Sequence, residues 1–141
     1  AFPEIVNYVD ATFNTIPDKA HRAMAGLSMG GMHTLMITAN YPDMFNYIGL
    51  YSAGVDFSHL NMEEVPAYAN LDAKLTKLAQ GNPKLYWIAC GNEDWLLPAN
   101  KRLMERMDKD GLKYTFHESP RGHLWCNWRQ YSLLFIPQLF K

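Results

Sequence analysis

The stretch Ala23-Met24-Ala25-Gly26-Leu27-Ser28-Met29-Gly30-Gly31 restricts the fold of this chain more than any other. Ala23 to Leu27 are small and apolar, as a short buried strand requires, and a helix-compatible segment follows from Met32. Between them, Gly26, Ser28 and Gly30 spell Gly-x-Ser-x-Gly. A strand that turns sharply into a helix at a serine strains the backbone there and lifts the hydroxyl above the carboxyl edge of its sheet. Gly26 and Gly30 are expected where neighbouring backbone passes too close for a Cβ. The helix behind Ser28 would aim free N–H groups at the site, with that of Met29 placed to stabilise an oxyanion.

The rest of the chain alternates strands with helices. Pro3 to Phe13 carries Ile5, Val6, Val9 and Phe13 at helical spacing, which predicts an amphipathic helix before the first strand. After the helix 31–40 comes a strand at 47–52, then a non-periodic polar segment, 55–66, read as a lid or pocket wall. Leu71, Leu75 and Leu78 mark a helix, and Leu85 to Cys90 is an uninterrupted apolar strand of the kind buried on both faces. A helix at 98–108 ends at Gly111, a strand covers 114–118, and a helix from Trp128 to Phe140 closes the chain. This order predicts an α/β fold: a mostly parallel sheet of about four strands with helices on both faces.

In a parallel sheet all strand carboxyl ends share one rim. Ser28, Asp94 and His123 follow the first, third and fourth strands, so all three are expected there, in the chain order Ser, Asp, His. Such a set supports nucleophilic attack by the hydroxyl, proton transfer by the imidazole and orientation of that imidazole by the carboxylate. Glu93 competes with Asp94, but the shorter side chain directly after the strand end has the better reach. His117 falls inside a strand and His33 in a helix first turn, positions where packing is the commoner role. His59, on the polar segment, is a candidate contact for a substrate, as are Trp95 and Trp125 near the rim. His117, Glu118, His123 and Cys126 fit no zinc spacing, so neither a metal nor a cofactor is expected.

The formal net charge of −1, without a Lys/Arg cluster, offers no footprint for nucleic acid, and no apolar run is long enough to cross a bilayer. The start, Ala1-Phe2-Pro3-Glu4, has no signal-peptide character, and two cysteines leave the compartment open.

Taken together, Gly26 to Gly31, Gly91-Asn92-Glu93-Asp94 with Pro98-Ala99-Asn100-Lys101, and Gly122-His123-x-Trp125-x-x-Trp128-Arg129 resemble the esterase D and feruloyl esterase branch of the α/β hydrolases. The resemblance implies a serine carboxylesterase acting on feruloyl- or acetyl-type esters of plant polysaccharide, with Ser28 as nucleophile, Asp94 as acid and His123 as base. It also favours a secreted or periplasmic setting. Trp95 stands where many relatives have a small residue. An acyltransferase on the same scaffold, or a catalytically impaired fragment, are the alternative outcomes. Such domains run to about 200 residues or more, so residues 1–141 are expected to form a single domain truncated at its amino-terminal side, short of the first strands and a second oxyanion donor. That loss would weaken activity by ~10²–10³. It would also leave the strand 23–27 as an uncharged edge, expected to pair with another copy.

Overall fold

A computed structural model describes residues 2–141, and its organising element is the sheet. Strand β1 (Ala23–Leu27) pairs with β2 (Tyr47–Tyr51), β2 with β3 (Leu85–Gly91), and β3 with β4 (Thr115–Ser119), all parallel and in chain order. The register sets Leu27 beside Tyr51, Tyr51 beside Ala89, and Ala89 beside His117. The four carboxyl ends therefore line one rim, as the alternation of elements predicts.

The period-2 pattern of the strands divides the core into two layers. Ile48, Leu50, Tyr86 and Ile88 face the crossover helices α2 (Met29–Asn40), α3 (Leu71–Gln80) and α4 (Leu97–Asp110). Tyr47, Tyr51, Trp87 and Ala89 face the other way, onto Trp128, Tyr131 and Phe135 of α5 (Trp125–Phe135). Three crossovers on one face keep every connection right-handed while the sheet grows in one direction. Among the described residues α5, which leaves the last strand and need not return to the sheet, folds across the opposite face. There Tyr51 meets Trp87, Tyr131 and Phe135 edge-on at 5.7, 5.8 and 6.0 Å, an arrangement favoured by the ring quadrupoles.

One local boundary needs revision, and two expected elements form in surroundings that the sequence does not give. The closing helix starts at Trp125 rather than Trp128 and ends at Phe135, where Ile136-Pro137-Gln138 forms a 3-10 turn. Trp125 therefore stands on a helix and not in a loop. The first helix, α1 (Phe2–Thr12), buries no residue: Phe2 packs on Phe45, while Ile5, Tyr8, Val9 and Phe13 stay exposed. The segment 55–66 does wall a pocket, of about 410 Å³, but one lying against Ala99, Arg102, Leu103 and Arg106 of α4. Asp56 ties it there through Arg102 at 3.6 Å, and within the segment it accepts from the Ser58 N–H at 3.1 Å.

Candidate active site

The site begins at the turn between β1 and α2. Ser28 has φ 53 and ψ −118, a region that L-residues avoid and that persists only where surrounding bonds impose it. Those bonds are visible. The Ser28 N–H donates to Tyr51 O at 2.9 Å, and the Ser28 carbonyl accepts from Gly31 at 3.0 Å, Met32 at 3.2 Å and Gly54 at 2.8 Å. A Cβ on Gly26 would overlap the Gly30 carbonyl and come within 2.8 Å of Thr34 Oγ1, so this glycine is dictated by close backbone approach. Gly30 is different: a Cβ there meets nothing. Gly31 is the crowded one, its Cβ falling 2.7 Å from that of Ala53. The expectation of a steric reason for both motif glycines holds for Gly26 and fails for Gly30, because α2 begins at Met29 and turns Gly30 outward.

His123 reaches this turn from the loop after β4, and Asp94 from the loop after β3. His123 Nε2 lies 2.9 Å from Ser28 Oγ, and His123 Nδ1 lies 3.0 Å from Asp94 Oδ2. Asp94 is 3% exposed, and its second oxygen accepts from the Leu96 N–H at 3.0 Å. A carboxylate only accepts, so Nδ1 carries the ring proton and Nε2 is left to accept from the serine hydroxyl. Glu93 is exposed and makes no comparable contact. Three side chains from three strand ends thus form one hydrogen-bonded line from a hydroxyl to a buried carboxylate.

The N–H groups of Met29 and Gly30 open α2, where no intrahelical acceptor exists for them. The positive end of the helix therefore faces the serine hydroxyl. Aromatic rings crowd the imidazole. Trp95 lies 4.2 Å from the His123 ring, Trp128 meets it edge-on at 4.8 Å, and Trp125 packs on Trp128 at 5.1 Å. Trp95 and Trp125 are 70% and 68% exposed, large apolar surfaces at the rim. His59 is not brought into this group: it is exposed, its charge is felt at Asp56, and no hydrogen bond or ring contact joins it to Ser28 or His123 among the described residues. His117 stacks on Trp87 at 5.9 Å, a packing role.

The two thiols have opposite surroundings. Burial, together with the negative charge of Asp94, pushes Cys90 up to about 12, which keeps it a neutral thiol. A hydrogen bond from Arg121 lowers Cys126 below the usual thiol value.

Residues 3–135 match the Esterase family, described as "Putative esterase". The chain is 55% identical over 139 residues to an endo-1,4-beta-xylanase/feruloyl esterase of Xylanibacter ruminicola, covering 98% of this chain and 17% of that protein. It is 27% identical to an acetyl esterase of Caldicellulosiruptor saccharolyticus, covering 91% of this chain and 58% of that one. Among solved structures, a fluorophosphonate-binding serine hydrolase of Staphylococcus aureus superposes with a TM-score of 0.84 at 20% identity, over 99% of this chain and 62% of its own. The chain thus spans less than two thirds of each of these proteins.

Proposed function

Since this chain belongs to the Esterase family and has the α/β-hydrolase fold, we propose that it hydrolyses carboxylic esters through Ser28, His123 and Asp94. The observation that carries this reading is the hydrogen-bonded line from Ser28 Oγ through the imidazole to Asp94, set on a backbone strained at the serine. The strain holds the hydroxyl at the mouth of the site at no cost during reaction.

Ser28 Oγ attacks the carbonyl carbon as its proton passes to His123 Nε2. The Met29 N–H donates to the oxyanion that forms. Asp94 stabilises the imidazolium, which then protonates the departing alcohol as the carbon–oxygen bond breaks and an acyl-serine remains. Water, deprotonated by the same imidazole, attacks the acyl carbon; the carboxylic acid leaves and the proton returns to Ser28. The leaving alcohol takes its proton from Nε2 and so departs past the imidazole, beside which Trp95 exposes its ring. Trp95 and Trp125 form a surface suited to a sugar face or an aryl group. With the activities for which the feruloyl esterase and acetyl esterase relatives are named, this supports feruloyl- or acetyl-type esters of plant polysaccharide as the substrate class.

Hydrolysis of p-nitrophenyl acetate and methyl ferulate by the chain and by Ser28→Ala tests the proposal. The expected result is loss of both activities in the variant; equal rates for the two proteins would refute the nucleophile.

A second copy is the proposed partner of β1. Among the described residues β1 is the outer strand of the sheet, uncharged and free of proline, with β2 as its strand neighbour, and it borders the exposed apolar residues of α1 near Ala23. The same edge on two copies is self-complementary. Light scattering across a concentration series should show a dimer that Ala25→Lys dissociates; a monomer at every concentration would overturn the pairing.

A further inference from the structure

Asn127 is a polar side chain, 6% exposed, in the first turn of α5. Its carboxamide Nδ2 donates to two carbonyls at once, Pro120 O and Gly122 O, each at 3.0 Å. These two carbonyls flank Arg121, which has φ 69, and the second belongs to the residue before His123. The carbonyls that alternate with them, 119 and 121, are held from the other side. Ser119 O accepts from the Asn92 N–H at 2.8 Å and Arg121 O from the Glu93 N–H at 3.1 Å, both donors lying on the loop that ends in Asp94. Four consecutive carbonyls, 119 to 122, are therefore taken alternately by the acid-bearing loop and by Asn127.

The geometry requires this closeness. A Cβ on Gly91 would overlap Arg121 O and lie 3.0 Å from Asn127 Nδ2, so the two loops meet at backbone distance. On these carbonyls the acid-bearing loop supplies two bonds and Asn127 two more, and Ser119 Oγ adds one to Pro120 O at 3.2 Å. A left-handed Arg121 is costly for an L-residue, and it persists only while its neighbours are tied down. Asn127 ties them.

We propose that Asn127 is a positioning residue: its two N–H donors fix the backbone on either side of Arg121 and so hold the His123 imidazole between Ser28 and Asp94. The proposal rests on the reading of those three residues as the catalytic set. Its effect should fall on the chemical step. A displacement of about 1 Å in a reacting group can cost up to ~10²-fold in rate, whereas no substrate contact passes through the buried carboxamide.

The decisive variant is Asn127→Asp, which keeps the shape and removes both donors. Its kcat on p-nitrophenyl acetate is expected to fall 10- to 100-fold on the order allowed for such a misplacement, with KM within about twofold of the parent and the low-field Nδ1–H proton resonance of His123 shifted or lost. In a His123→Ala background the same change should alter the residual rate by less than about twofold, because the two residues act as a unit. Asn127→Ser, which retains one donor, should show a smaller loss and covers the case in which the aspartate variant does not fold. A kcat within twofold of the parent for Asn127→Asp with the resonance unmoved, or an equal loss in both backgrounds, would overturn the proposal. Full activity in His123→Ala itself would instead overturn the catalytic assignment on which it stands.

Discussion

Replacing Asp94 by Asn isolates the role of one buried carboxylate. Asp94 uses its two oxygens separately, Oδ1 for the Leu96 N–H and Oδ2 for the imidazole, each at 3.0 Å. An asparagine can satisfy only one of these donors. If its oxygen stays with Leu96, its NH₂ faces His123 Nδ1, the ring proton moves to Nε2, and Ser28 Oγ at 2.9 Å loses its acceptor. Flipping the amide restores the ring but strands the buried Leu96 N–H, at about 1–3 kcal/mol. The productive tautomer is then roughly 5- to 150-fold less populated from that cost alone. Loss of the carboxylate charge beside the imidazolium takes the drop toward ~10⁴, the size of effect seen for the equivalent change in serine proteases, or about 5.4 kcal/mol. The assay is kcat for p-nitrophenyl acetate beside a thermal melt, in which the unfolding midpoint should move by no more than roughly 3–5 °C per kcal/mol lost. A variant that folds and keeps more than a fifth of the parent kcat would refute the reasoning.

Two further outcomes follow from the packing and the titrations. Gly26→Ala should destabilise the chain severely, since the new methyl overlaps the Gly30 carbonyl, whereas Gly30→Ala, with open space around it, should leave the melting temperature level or raise it slightly; the two melts measured side by side decide this. Iodoacetamide at neutral pH should alkylate Cys126 first, because the Arg121 hydrogen bond lowers that thiol and enlarges its thiolate fraction. Cys90, buried and raised to about 12, should react only on unfolding, and peptide mapping that finds Cys90 modified in the native chain would contradict its placement.

The features legible in the sequence are those whose physics is local. Gly-x-Ser-x-Gly between an apolar run and a helical segment specifies a strained turn, and the alternation of strands with helices brings three strand ends to one rim. The start of α5 was not legible because its cap position is Leu124, which offers no side-chain bond to announce a helix. The exposure of α1 was not legible either: Ile5 and Val9, with Phe13 just past its end, have helical spacing, but spacing does not say whether a surface is there to receive them. Gly30 and Gly31 are interchangeable on paper, and only the placement of Ala53 decides which one is crowded. Asn127 had a faint signal. It is an amide beside Trp128 and within a turn of Tyr131, on the helical face that enters the core, where a polar group stays only with partners of its own.

The most direct test of the account is labelling of the native chain with a fluorophosphonate probe, followed by mass spectrometry of the peptides. The expected result is a single adduct on Ser28, absent in Ser28→Ala and formed at least ~10²-fold more slowly in His123→Ala, where no base remains to take the proton. A folded chain that forms no adduct, or one labelled at another residue, would contradict it.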